Sequence, residues 1–158
     1  MAKLKIYLDT SFISHLQQND VPEKVAATWK VWNNIVAGKY EVFISDVVIK
    51  ELLDADETRR DYMVSHLSDI DYHLIAVGDK EFAFAKKIID AGVLRPKSYD
   101  DSQHIAAAVS AGCDVIVSWN FKHLANVKTN MGVRVITVAE GYKDIIICSP
   151  MALLEEEE

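Results

Sequence analysis

Short apolar runs of period two alternate along this chain with longer stretches of period three to four. Leu4, Ile6 and Leu8 share one face of a strand predicted over residues 4–8. Asp20-Val21-Pro22 reads as a helix start. Val25, Trp29, Trp32 and Val36 follow at helical spacing, and Gly38 supplies the stop. A second strand is predicted over 40–44, and Ser45 and Asp46 can cap the helix after it. Helices over 58–67 and 81–91 bracket a strand over 73–77, closed by Gly78-Asp79. Residues 93–99, with Arg95-Pro96-Lys97, read as a loop. An Ala-rich helix runs from Asp101 to near Gly112. The pattern then predicts a strand over 114–118, a helix over 121–129 and a last strand over 133–138. Ser149-Pro150 pairs a capping residue with a first-turn proline and predicts a short terminal helix.

Strands thus alternate with helices throughout. That order predicts an α/β fold: a parallel sheet, helices on both faces and right-handed crossovers. No repeat, low-complexity linker or boundary divides the chain. We expect one domain over 1–148, then a short C-terminal helix and acidic tail over 149–158. In such sheets, ligands bind beyond the carboxyl ends of the strands. Asp9 and Asn120 both fall just past a predicted strand end.

Composition narrows the class. A chain of 158 residues, half of them apolar, suits one domain with a proper core. Cys113 and Cys148 form no CxxC pair, carry no zinc pattern and suggest two thiols in a reducing compartment. No apolar run approaches the ~20 residues of a membrane span. The first residues run straight into a strand, so no signal peptide is expected. The expectation is a cytoplasmic protein without a membrane partner. The net charge of −7 argues against a broad basic groove but leaves room for a local one. Four of those charges sit in the Glu155 to Glu158 run, a solvated tail.

Three acids stand out because their positions do not suit a carboxylate. Asp9 ends the first strand, Glu51 shares a helical stripe with Val47 and Val48, and Asp101 faces inward with Ile105 and Ala108. Each has a structural alternative. Asp9 and Asp101 can cap helices, and Glu51 can snorkel or meet a lysine. Carboxylates that converge repel one another, and a divalent cation relieves that repulsion. Hard oxygen donors favour Mg²⁺ or Mn²⁺ over zinc. His104 follows Asp101 by three residues, a spacing that can turn it to the same crevice, as a ligand, a phosphate contact or a packed or hydrogen-bonded helix histidine. The other histidines form no zinc spacing. Trp119 lies beside the candidate site, either packed under a loop or free to stack on a base.

At this point the chain resembles a known family. Leu8-Asp9-Thr10-Ser11, Ser45 with Glu51-Leu52, Asp100-Asp101-Ser102-Gln103-His104-Ile105-Ala106 and Val115-Ile116-Val117-Ser118-Trp119-Asn120-Phe121 resemble the ordered motifs of PIN-domain proteins. The resemblance spans roughly residues 3–138. It implies a three-layer α/β/α sandwich around a parallel sheet and the metal-dependent ribonuclease activity of VapC-type toxins. It implies Mg²⁺ or Mn²⁺ on Asp9, Glu51 and Asp101, with Asn120 at the fourth position. Thr10 or Ser11 matches the small polar residue that orients the first acid, and Ser118 the hydroxyl near the fourth motif. Many members carry an aspartate where this chain has Asn120, so one formal charge is missing and a second metal would bind more weakly.

The implied reaction is hydrolysis of RNA by a metal-activated water, leaving a 5′-phosphate and a 3′-hydroxyl. Arg95, Lys97 and Lys122 flank the presumed mouth as phosphate contacts. The resemblance also implies a homodimer silenced by an antitoxin protein. The main alternative is a catalytically weak or inactive PIN-fold module that binds nucleic acid or protein. A dehalogenase-type phosphatase needs a second aspartate two residues after Asp9, where this chain has Ser11. A phospho-receiver domain wants paired acids near the start of the chain, which are also missing.

Overall fold

The computed structural model describes residues 2–17 and 21–156. Asp20 of the predicted helix start and the last two glutamates of the tail lie outside the described residues. The chain runs β1 (Leu4–Leu8), α1 (Thr10–Ser14), α2 (Pro22–Val36), β2 (Tyr40–Ser45), α3 (Asp46–Leu53) and α4 (Glu57–Leu67). It continues through β3 (His73–Ile75), α5 (Asp79–Asp90), a single 3₁₀ turn (Pro96–Ser98), α6 (Tyr99–Ser110) and β4 (Val115–Val117). It closes with α7 (Val127–Ala139), β5 (Ile146–Cys148) and α8 (Pro150–Glu155).

All strand pairs are parallel, in the order β3-β2-β1-β4-β5. Helices flank this sheet in a three-layer α/β/α arrangement, with α5 packed on α6 and α7, and α8 on α2. Ile6, Tyr7 and Leu8 of β1 are all fully buried, as a central parallel strand covered on both faces requires. The strand order has a consequence for function. From β1 the chain builds outward through β2 to β3, then crosses back to place β4 and β5 on the other side. The reversal falls between β1 and β4, and it opens a crevice at their carboxyl ends. Asp9 and Ser118 are the residues that immediately follow those two strands.

The last third of the chain corrects the sequence reading. Residues 133–138, expected as the last strand, belong to α7. Val133, Val135, Ile136, Thr137 and Val138 have high strand propensity, which made the stretch read as β. Burial instead follows a helical step, with Thr129, Val133 and Thr137 inside and Met131, Val135 and Val138 exposed. Asn126 caps this helix by accepting a hydrogen bond from the Thr129 amide. Residues 121–126 are therefore turns, and the helix expected over 121–129 begins only at Val127. The true last strand, β5, was missed because three residues give too short a pattern to show a period.

The α2 stripe also shifts. Ala27, Thr28, Val31, Trp32 and Ile35 are buried, whereas Val36 is exposed and Trp29 only partly covered.

Candidate active site

Asp9 sits at the head of β1 and caps α1. Its Oδ1 accepts from the Phe12 amide (3.0 Å) and from the Ser11 hydroxyl (2.7 Å). Its Oδ2 accepts from the Ser118 hydroxyl across the switch point (2.6 Å). A cap needs only the first of these. The other two spend the single protons of Ser11 and Ser118 on one carboxylate. The 3.3 Å approach of the two hydroxyls is then a contact between acceptors. Burial nevertheless raises the Asp9 pKa, while His104 and the three donors pull it back down. The Thr10 hydroxyl, next in the chain, is buried without a hydrogen-bond partner among the described residues.

Glu51 arrives from α3, which packs against α6. Ser45 caps α3 through a hydrogen bond from the Val47 amide (3.2 Å). Glu51 keeps 34% of its side chain exposed and meets a histidine, with no lysine paired to it among the described residues. Its Oε1 lies 2.6 Å from Nε2 of His104 on α6. Nδ1 of the same ring lies 2.6 Å from the Tyr7 hydroxyl, which lies 2.8 Å from Ser45 Oγ. A buried chain therefore runs Ser45, Tyr7, His104, Glu51. Burial alone would lower the His104 pKa, but the Glu51 hydrogen bond and the charges of Glu51, Asp9 and Asp101 raise it. With the imidazolium favoured, both ring nitrogens donate, so Tyr7 accepts from His104 and donates to Ser45.

Asp101 is the third residue of α6 and does not cap it. That place falls to Ser98. Its carboxylate has no hydrogen-bond partner among the described residues and is partly exposed. Burial raises its pKa; His104 and His123 lower it, and Asp9 and Glu51 raise it further. The three acids thus lie in one another's field, at the carboxyl end of the sheet. Among the described residues, no three His, Cys, Asp or Glu side chains are drawn together tightly enough to form a coordination shell. The donor set is all hard oxygen, and the unpartnered Thr10 hydroxyl beside it is the kind of buried group that a water or ion satisfies. In donor chemistry the residues present fit a divalent cation.

Asn120 has a different engagement from its neighbours. Its Oδ1 accepts from the His123 amide (3.0 Å), closing a turn, and its own amide donates to Ser118 Oγ (3.0 Å). Trp119 is packed and unavailable to a base. It is 5% exposed, its indole donates to the Thr28 hydroxyl (2.8 Å), and its ring stacks on His15. Arg95, Lys97 and Lys122 do come together, in a cleft of about 580 Å³ that His123 and Lys128 also line. Sequence reading missed Tyr7, whose hydroxyl reaches both His104 and Ser45, the residue already marked as a cap and motif position. No local pattern marks Tyr7.

No family model and no curated protein sequence matches this chain. Solved structures do. The VapBC2 structure from Rickettsia felis, bound to a DNA fragment from its promoter, is similar at 11% identity and a TM-score of 0.59, over 92% of this chain and 98% of that one. VapC20 of Mycobacterium tuberculosis, described as a Sarcin-Ricin loop cleaving toxin, is similar at 16% identity and a TM-score of 0.56, over 89% of this chain and 98% of that one. The likeness is one of fold: this chain has the PIN-domain fold of the VapC-type proteins.

Proposed function

We propose that this chain is a divalent-cation-dependent endoribonuclease that hydrolyses RNA phosphodiester bonds at Asp9, Glu51 and Asp101. What supports the reading is the buried Asp9 carboxylate, held by Ser11, Ser118 and the Phe12 amide at the switch point, with Asp101 within the field of both Asp9 and Glu51. The shared fold with a protein described as a Sarcin-Ricin loop cleaving toxin supports it. Asp9, Glu51 and Asp101 would hold Mg²⁺ or Mn²⁺, which when bound supplies an acidified water and neutralises charge on the phosphate. Ser11 and Ser118 favour the ionised form of Asp9 and fix its orientation. His104, backed by Tyr7, holds Glu51 by one oxygen and leaves the other free. The reading extends to a toxin that acts in the cytoplasm as a homodimer and is restrained by an antitoxin, in keeping with the likeness to a VapBC2 complex.

A second reading has its own support. The Asn120 side-chain oxygen already accepts from the His123 amide, so the fourth position offers no charge and one lone pair fewer. That favours a PIN-fold module that binds nucleic acid or protein with little or no catalysis. RNA cleavage by purified protein with Mn²⁺ or Mg²⁺ separates the two. Cleavage that disappears with EDTA and in Asp9→Ala supports the nuclease. Silence in the native protein and in Asn120→Asp supports the module.

A further inference from the structure

The cleft beside the acids is lined by four cations, Arg95, Lys97, Lys122 and Lys128, together with His123 and Phe121. All four cations are exposed, and none is in an ion pair among the described residues. In a chain of net charge −7, four unpaired cations on one concave surface form a local positive field in an acidic background. Phe121 is 44% exposed and backed edge-on by the buried Trp119 ring. A large exposed aromatic among cations is the composition of a surface that holds phosphates and stacks a base.

The surface is also pre-built. Asn126 Nδ2 donates to the carbonyls of Phe121 (2.9 Å) and Lys122 (3.3 Å), while its Oδ1 accepts from the Thr129 amide. The Thr129 hydroxyl donates to the His123 carbonyl (2.9 Å), and Asn120 closes the turn before it. The segment that presents Phe121, Lys122 and Lys128 is therefore held before any ligand arrives, so little ordering entropy is lost on binding. The cleft wall joins the acid centre through Asn120, whose Oδ1 accepts from the His123 amide (3.0 Å) and whose backbone N–H donates to Ser118 Oγ (3.0 Å), the hydroxyl that donates to Asp9.

We propose that this cleft is a cation-independent binding track for a single polynucleotide strand. Arg95, Lys97, Lys122 and Lys128 neutralise consecutive phosphates, and Phe121 stacks one base on the side of the acid centre where His123 lies. The proposal rests on the nuclease reading for its choice of ligand but not for its test. Lys24 Nζ lies 5.3 Å from the Phe121 centroid, and a base would stack on the exposed remainder of the ring, a contact that an acidic protein segment does not need.

The test is fluorescence anisotropy of a labelled oligouridine in EDTA, over a range of salt concentrations. With four phosphates neutralised, log affinity should fall against log salt with a slope of about −3. The Lys122→Gln/Lys128→Gln double variant should bind more weakly, with a slope shallower by about 1.4. Phe121→Ala should weaken binding by about fivefold or more and leave the slope unchanged. Lys39→Gln, at the opposite end of the sheet, should change neither. The proposal is overturned if native protein fails to bind in EDTA, if the double variant keeps the native slope, or if polyglutamate competes better than oligouridine. Parallel titration with oligothymidine reports whether the strand must be RNA, and equal binding of both still upholds the track. Binding without metal-dependent cleavage upholds the track and counts against the nuclease. Cleavage with an unchanged KM in the double variant does the reverse.

Discussion

Ser118→Ala removes the one side-chain donor that reaches Asp9 across the switch point, and the structure sets the size of the effect. The bond is 2.6 Å long and wholly buried, to a carboxylate that is 3% exposed. Hydrogen bonds to charged groups contribute about 1.5–3 kcal/mol, and here no water can enter freely to replace the hydroxyl. Losing that donor should raise the already raised Asp9 pKa further. The pH dependence follows from the sign of that shift. A carboxylate whose folded pKa is raised adds stability below its unfolded pKa and loses it as pH rises through the folded value. The variant should therefore lie close to the native protein near pH 4 and fall behind it as pH rises. At pH 8 the deficit should reach about 1.5–3 kcal/mol, or roughly 3–12 °C in Tm for a chain of this size. Urea denaturation of both proteins between pH 4 and 8, in EDTA, measures it. A deficit that is constant with pH would refute the reasoning, because it would place the role of Ser118 in packing and not in holding an ionised Asp9.

Three further outcomes follow from the same geometry. Asp101→Asn should raise the Tm above pH 7 in EDTA, because burial and the neighbouring acids disfavour its charge, yet abolish metal-dependent cleavage; melting curves and RNA assays check the pair. His104→Ala frees Glu51 from its 2.6 Å partner and should weaken Mn²⁺ binding by about 10–100-fold, measured by calorimetry. Gly132→Ala places a methyl within 2.9 Å of both Val93 Cγ atoms. The clash, about 1–3 kcal/mol, should outweigh the ~1 kcal/mol gain in helix propensity, and adding Val93→Ala should restore stability in urea melts.

The sheet was legible where its strands were long enough to show a period and were followed by a cap. β1, β2 and the α3 helix that Ser45 starts are the clearest cases. Three acids in apolar settings marked Asp9, Glu51 and Asp101 in the sequence; in the structure the charges of Asp9 and Glu51 act on Asp101, while no three acids among the described residues form a coordination shell. What escaped the sequence was decided by tertiary contacts. α7 overrides a β-branched run because its 129, 133 and 137 face finds a core to enter. β5 exists because β4 offers it an edge. The exchange of roles between Trp119 and Phe121 depends on Thr28 of α2 taking the indole N–H, a contact 91 residues distant in sequence. The hold of His104 on Glu51 depends likewise on the packing of α6 against α3.

The most direct test of the shared acid site is calorimetric titration of Mn²⁺ into the native protein and into Asp9→Asn, Glu51→Gln and Asp101→Asn. The account predicts saturable binding to the native protein and a marked loss in each of the three variants. Binding that survives all three substitutions unchanged, or is missing from the native protein, would contradict it.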